Sequence, residues 1–179
     1  MATDQQTVSA TLVPAGEWQL DPAHTSAGFR IRKLFWHPKG RFRDVSARLR
    51  ATEQTLELTG SARVASITTG IPPRDLHLRS AHFFAARRHP TVELEISEAT
   101  RISGDAYRLL GELTLKGVTR PVELIAAAHA HGDHVHVHAE GSVDRHAHGL
   151  VAPAFVELGG FLLGREVELV LDARFQRVG

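Results

Sequence analysis

The sequence predicts an all-β fold, an antiparallel barrel of about eight strands with one helical insertion at about residues 72–90. Three observations support this prediction. Apolar and polar residues alternate in about eight short segments, which is the period of a strand with one buried face. Most of these segments follow one another with no helical pattern between them. The stretch from Pro72 to Pro90 lacks the alternation, and its prolines break the flanking strands.

The strands are predicted from apolar residues that recur at every second position along the chain. A short strand opens around Trp18, and Phe29 and Ile31 share one face of the next. Later segments alternate within residues 42–49, 56–64, 92–96, 107–115, 122–128, 135–143 and 167–175. The parity shifts between Phe42 and Val45, which predicts a bulge or bend near Arg43 and Asp44. Residues 146–164 do not alternate and are expected to form a long loop near an opening.

The length and composition predict one domain over residues 16–177, preceded by a flexible N-terminal arm of residues 1–15. A formal net charge of +1 gives no reason to expect a nucleic-acid partner. The absence of cysteine excludes disulfides, thiolate metal sites and cysteine nucleophiles. Because the first fifteen residues carry no basic start followed by an apolar stretch, we expect no signal peptide, no integral membrane segment and a cytoplasmic location.

The inward face of the predicted barrel mixes large apolar side chains with small residues. A barrel of about eight strands is just wide enough to be filled by side chains or to hold one ligand. An empty apolar void costs on the order of 24 cal/mol per Å³, so a large one is rarely kept without a ligand. The pattern predicts a container for an apolar ligand. The alternative is a solid barrel in which the small residues face large ones or mark bends, and the residues concerned are Ala62, Gly111, Ala126, Ala128, Ala139 and Gly141.

A cluster of histidines lies on one predicted hairpin. Two histidines at positions i and i+2 of a strand point the same way and can share a metal ion. Here Val135 and Val137 take the inward positions, so the histidines are expected outside, and no metal site or cofactor is predicted. A metal-dependent enzyme that uses this surface cluster is the alternative; the cluster consists of His129, His131, His134, His136 and His138.

Catalytic motifs are not evident in the sequence. It contains no Gly-x-Ser-x-Gly elbow, no phosphate-binding glycine loop and no paired inward carboxylates, so we do not expect an enzyme. Arg74, Asp75, His77 and Arg79 form a dense polar cluster that could bind an anionic head group or perform chemistry. The same cluster could instead be a salt-bridged loop that fixes the insertion to the barrel. Arg145 shares the inward parity and would need a buried partner such as a carboxylate.

Several motifs occur in a definite order along the chain. They are residues 18–25 (Trp-Gln-Leu-Asp-Pro-Ala-His-Thr), residues 40–42 (Gly-Arg-Phe), residues 74–80 (Arg-Asp-Leu-His-Leu-Arg-Ser) with Phe83-Phe84, then His89-Pro90 and residues 111–122. In these motifs the chain resembles the YceI family of lipocalin-like, polyisoprenoid-binding proteins, from Gly16 to Phe175. Two features depart from the family pattern. Many relatives carry an export signal, which we do not expect in this chain, and His148 precedes Gly149 where an aromatic residue is common.

The resemblance implies a barrel that binds an isoprenoid lipid or quinone in its lumen, often pairs into a homodimer and has no established catalytic step. The ligand class would be the polyprenyl chain of a quinone or of a polyprenyl phosphate. Transient membrane contact is compatible with such a protein, and storage, transport and stress protection remain open as its role. The remaining alternative is a ligand-free interaction module whose barrel is packed solid.

The pattern and the resemblance together yield a set of candidate ligand-binding residues. The expected contacts to the apolar tail are Phe29, Ile31, Phe42, Leu58, Leu94, Ile96, Leu109, Leu113, Val137 and Leu169. Each of these could instead belong to an ordinary core. A head group at the mouth would meet His24, Arg74, His77 and Arg79, with Phe83 and Phe84 closing over it.

Overall fold

The computed structural model describes residues 13–31, 38–151 and 164–179. Most of the predicted N-terminal arm and much of the predicted loop at residues 146–164 therefore lie outside the described residues. At the start of the described chain, Val13 is buried and the indole nitrogen of Trp18 donates a hydrogen bond to the carbonyl oxygen of Pro14. The fold is thus in contact with the chain that precedes the first strand.

The described residues form eleven strands and one α-helix, α1 (Pro72–Arg79). The strands are β1 (Gly16–Leu20), β2 (Ser26–Ile31), β3 (Lys39–Phe42), β4 (Val45–Ala51), β5 (Leu56–Arg63), β6 (Ile67–Thr68), β7 (Thr91–Ser103), β8 (Ala106–Leu115), β9 (Val118–His131), β10 (His134–Asp144) and β11 (Glu166–Arg177). Short 3₁₀ helices occupy Pro22–His24, Val64–Ser66 and Arg145–His148.

Eight of these strands close an antiparallel barrel. They pair in the order β1-β4-β5-β7-β8-β9-β10-β11, and β1 also pairs with β11. The other half of β11 pairs with β2, and β3 and β6 continue the sheet from β2. The predicted barrel with a single helix is confirmed. The bend predicted near Arg43 and Asp44 is the connection between β3 and β4.

The alternation read from the sequence is present in the burial of the strands. In β9, Val122, Leu124, Ala126 and Ala128 are buried while the residues between them are more exposed. β10 shows the same period, with Val135 fully buried and His136 and His138 exposed. Because successive strand residues point to opposite faces, one apolar face lines the barrel and one polar face meets solvent.

The helix α1 begins with two prolines, which suit the first turn because the amide hydrogens there have no partner within the helix. It ends at Arg79, and turns follow it as far as the region of His89. The predicted insertion at about residues 72–90 therefore contains one short helix followed by turns. Within the described ranges, no helix has the length and apolar character needed to cross a membrane.

Candidate functional site

The barrel encloses a cavity of about 520 Å³ with an almost wholly apolar surface. Pockets that take small molecules are mostly about 300–1,000 Å³ and lined by apolar side chains. All the predicted tail-contact residues line this cavity: Phe29, Ile31, Phe42, Leu58, Leu94, Ile96, Leu109, Leu113, Val137 and Leu169. The described lining includes no carboxylate. Because its described surface is almost wholly apolar, the lumen is suited to the apolar part of a ligand.

Four phenylalanines form a continuous aromatic cluster along one side of the cavity. Ring centroids lie 6.2 Å apart for Phe29 and Phe42, 6.3 Å for Phe42 and Phe84, and 5.3 Å for Phe83 and Phe84. The last two pairs are edge-to-face, which is a favourable arrangement for aromatic rings. Phe83 and Phe84 are each only 7% exposed. Both belong to the insertion and are packed into the cavity wall.

The small inward residues do not all create the space that the sequence predicted. Ala62 and Ala139 line the cavity, whereas Ala126 and Ala128 are buried without lining it. A Cβ atom on Gly111 would overlap the carbonyl group of Glu95, where the β7–β8 register shifts after Ile96. The expectation that Gly111 leaves lumen space is therefore wrong, because the glycine permits a close approach of two backbones.

Gly141 has a similar role on β10. A Cβ atom there would overlap the side chain of Leu124 and lie 2.6 Å from the carbonyl oxygen of Glu123. The space next to Gly141 is already filled by the neighbouring strand. Other small residues that the sequence analysis did not single out, Ala27, Ala47, Gly60 and Ala173, line the cavity instead.

The polar cluster of the insertion fastens α1 to β6. The Asp75 carboxylate accepts hydrogen bonds from Thr69 N at 2.7 Å, Thr69 Oγ1 at 2.5 Å and Thr68 Oγ1 at 3.0 Å. Burial raises the pKa of Asp75, but these hydrogen bonds and the nearby Arg79 guanidinium outweigh it, so the pKa lies below its ordinary value. The carboxylate is only 7% exposed, and it holds the start of the helix against the sheet edge.

The arginines of this cluster bond to the same edge. Arg74 donates to Thr69 Oγ1 at 2.8 Å and Thr69 O at 3.2 Å, and Arg79 donates to Ile67 O at 2.7 Å. These contacts agree with one of the two roles that the sequence analysis considered for the cluster, which is to fix the insertion to the barrel.

The predicted head-group residues do not gather at one point. Arg74 and His77 line the cavity, whereas His24 and Arg79 are absent from its described lining. The His24 side chain is 59% exposed, and its Nδ1 lies 2.7 Å from a carboxylate oxygen of Asp21. That contact with His24 is the largest influence lowering the pKa of Asp21. His24 therefore packs locally at the short 3₁₀ helix after β1.

Arg145 is 2% exposed and lines the cavity. Its Nε donates to Gly164 O at 2.9 Å, and its Nη1 donates to Leu150 O at 2.6 Å. The sequence suggested a carboxylate as the partner, but two of its contacts are main-chain carbonyl oxygens. His148, at the position where the family commonly has an aromatic residue, is also buried, and its Nδ1 lies 2.9 Å from Val118 O.

The histidines of β9 and β10 lie on the outside of the barrel, as their parity predicts. His138 Nδ1 lies 2.6 Å from Asp172, and this hydrogen bond is the main reason why the pKa of His138 is raised. His129 Nε2 lies 3.1 Å from Asp105. In the part of the chain that the structure describes, no group of three potential metal ligands comes together.

Sequence reasoning missed Lys39 among the cavity-lining residues. The signal was available, because Lys39 and Arg41 alternate with Gly40 and Phe42 in the same way as the apolar strands do.

A comparison with known families matches the YceI-like domain over residues 18–175, nearly the whole barrel. The chain belongs to the YceI-like family. A UPF0312 protein of Pectobacterium atrosepticum is 33% identical over 131 residues, which cover 70% of this chain and 68% of that protein. A UPF0312 protein of Photorhabdus laumondii is 31% identical over 66% of this chain, and the chain spans only 65% of that relative's length.

Solved structures share the same YceI-like barrel. BcnA of Burkholderia cenocepacia superimposes with a TM-score of 0.80 at 17% identity, covering 87% of this chain and 98% of BcnA. A polyisoprenoid binding domain from Saccharophagus degradans, implicated in plant cell wall breakdown, gives a TM-score of 0.73 at 13% identity. It covers 90% of this chain and 98% of that domain. These likenesses establish the fold of the chain.

Proposed function

We propose that this protein binds the isoprenoid chain of a lipid in its barrel and thereby carries or sequesters it. The observation that carries the proposal is the apolar cavity of about 520 Å³. An engineered apolar cavity of about 150 Å³ in another protein stays dry and binds benzene. A larger cavity with a similar surface is therefore suited to an extended hydrocarbon ligand.

The energy of burial supports a long apolar chain as the ligand. Each buried methylene contributes about 0.8 kcal/mol, so a five-carbon isoprene unit would contribute a few kcal/mol before entropic costs. Binding can therefore be tight although the lumen offers few polar contacts. The polyisoprenoid binding domain with the same fold supports isoprenoids as the ligand class. The ten tail-contact residues predicted from the sequence are the proposed contacts.

The family and the lining also favour binding over catalysis. In the described lining, the polar side chains are a few serines and threonines, one histidine and three cations, with no carboxylate that could serve as a general base. We therefore propose a binding protein with no catalytic step. The homodimer implied by the resemblance stays a prediction, which sedimentation at several concentrations would check.

The test is lipid extraction and native mass spectrometry of the protein purified from its own host. We expect a prenyl lipid at a near-equal molar ratio to the protein. The variant Ala47→Phe should lose it, because Ala47 is a partly buried cavity-lining residue paired with Gly60 and a phenyl ring there would occupy the lumen.

Ala130→Phe is the matched control. It adds the same side chain at an exposed position of β9 that is not in the described cavity lining. The control should retain the lipid at the level of the unmodified protein. Retention of the lipid by Ala47→Phe would show that the isoprenoid chain does not occupy the lumen. Purification of the protein without any prenyl lipid would count against the carrier function.

A further inference from the structure

A basic groove lies outside the barrel, against the outward face of β2 and β3. It has a volume of about 420 Å³, and its charged residues are Arg30, Lys39, Arg41, Arg43 and Asp172. Lys39, Arg41 and Arg43 stand at alternate positions, so β3 and the turn after it direct these side chains to the outer face while Gly40 and Phe42 take the other parity. Four cations and one carboxylate thus line one groove in a chain whose net charge is +1.

Only some of these charges are neutralised locally. Arg30 lies 3.3 Å from both Glu140 and Glu168, and Asp172 contacts His138. Lys39, Arg41 and Arg43 form no ion pair with any residue in the described ranges. Within the described ranges these three cations therefore have no ion-pair partner, an arrangement that favours the binding of an anion.

The floor of the groove is open because Gly28 has no side chain. Gly28 is the Cα partner of Arg41 on one side and of Val170 on the other. A Cβ atom at this position would lie 3.4 Å from the carbonyl oxygens of Gly40 and Val170. Without one, a compact anion can approach the sheet between the cations. The guanidinium group is well suited to such a ligand because its N–H groups match the oxygens of a phosphate.

The groove adjoins the apolar cavity. Ser26, Gly28, Phe29, Lys39 and Thr69 line both. Lys39 and Ile71 are lining residues of the cavity that are exposed to solvent, so the cavity reaches the surface beside β3 and the start of α1. A ligand whose chain lies in the lumen can therefore place its polar end at the outer face of β3.

We propose that the basic groove binds the phosphate or diphosphate group of an anionic prenyl lipid whose chain occupies the cavity. This inference rests on the proposed function and narrows the ligand class to anionic prenyl lipids. An uncharged quinone or prenol head group would bring no negative charge to Lys39, Arg41 and Arg43. The groove also places the head group away from the cluster predicted from the sequence, where Arg79 and Asp75 are engaged in holding α1 against β6.

The test compares two ligands with the same chain, farnesyl diphosphate and farnesol, in equilibrium binding to the full chain. We expect the diphosphate to bind at least about tenfold more tightly, since hydrogen bonds to charged groups stabilise by more than neutral ones. Added salt should weaken the binding of the diphosphate and leave that of farnesol almost unchanged. The double variant Arg41→Ala/Arg43→Ala should lose most of the difference between the two ligands while still binding farnesol.

Arg48→Ala/Arg50→Ala is the matched control. Arg48 and Arg50 have the same spacing on the exposed face of β4, and neither lines the groove or the cavity. The control removes the same charge and should keep the preference for the diphosphate. Thermal unfolding of both double variants should match that of the unmodified chain, because the substituted side chains are exposed.

The outcomes separate the groove from the proposed function. Equal affinity for the two ligands, or a preference that survives Arg41→Ala/Arg43→Ala, would overturn the groove as the head-group site while leaving lipid binding intact. Inorganic diphosphate that binds as tightly as farnesyl diphosphate would show a site for the free anion instead. If neither farnesyl ligand binds, both the proposed function and the head-group site are overturned.

Discussion

Asp75 shows how one buried carboxylate can hold an insertion in place. It accepts three hydrogen bonds from Thr68 and Thr69 and carries a negative charge away from water. An amide in its place would keep one acceptor oxygen but put an NH2 group, which cannot accept, against one of these donors. A buried hydrogen-bonding group that loses its partner costs about 1–3 kcal/mol.

We therefore expect Asp75→Asn to lower the free energy of unfolding by about 1–3 kcal/mol at neutral pH, measured by urea denaturation. Because the pKa of Asp75 is lowered in the folded state, the contribution of its charge is complete above 3.8, the ordinary pKa of aspartate, and is lost as the pH falls through the folded value. The difference between the two proteins should shrink in acid. A constant difference from neutral pH to below the folded pKa would contradict this account.

The sequence predicted the positions of the lumen residues but not the partners of the polar cluster around Asp75. Parity along a strand reports which side chains point inward, so the tail-contact residues could be placed on the lumen face from their spacing alone. Asp75, Arg74 and Arg79 lie in a helix that packs against β6, and their partners are set by how that helix docks. No local period contains that information, so the sequence left two roles open for the cluster.

The pairing of β7 with β8 requires a glycine at position 111. β7 shifts its register between Ile96 and Glu98, and Gly111 on β8 is the Cα partner of Ile96. The backbones approach so closely there that a Cβ atom on Gly111 would overlap the Glu95 carbonyl. The sequence shows a glycine on the inward parity, but the bulge that requires it depends on the pairing of the two strands.

We expect Gly111→Ala to destabilise the protein by about 1–3 kcal/mol, the range for overpacking, because the backbone of β7 would have to move. Chemical denaturation measures the change. Gly60→Ala on β5 is the control, since its Cβ atom would lie 3.5 Å from Ala47 Cβ, which is an ordinary contact. A stability of Gly111→Ala equal to that of Gly60→Ala would refute the close approach.

For the molecule as a whole, an apolar cavity couples ligand binding to stability. A ligand that binds only the folded state at about 100 times its Kd adds about 2.7 kcal/mol to the free energy of unfolding. For a domain of this size, each kcal/mol raises the Tm by about 2–4 °C.

We expect a saturating prenyl lipid to raise the Tm by about 5–10 °C in differential scanning calorimetry. Ala47→Phe should remove this increase, because the phenyl ring takes the place of the ligand. An unchanged Tm of the lipid-free and lipid-saturated protein, with binding shown independently, would mean that the lipid does not bind the folded barrel selectively.

The class of fold could be predicted from the sequence because closure of a sheet leaves a regular alternation in every strand. The sequence could not show that β1 and β2 both pair with β11, because pairing between distant segments does not change the local alternation of apolar and polar residues. Nor could alternation alone distinguish a solid barrel from a hollow one. That difference depends on side chains such as Ala47 and Ala173, which leave the lumen open, and Gly141, whose space Leu124 occupies.

The position of β11 has a consequence for how the chain folds. β11 pairs with β1, β2 and β10, and it follows every one of them in the chain. During synthesis the earlier strands can assemble only an open sheet, whose apolar face stays accessible until β11 leaves the ribosome. Contacts between segments so far apart slow the final step and leave time for aggregation. The nascent chain therefore passes through a stage in which its future interior is open to chaperones and to lipids alike.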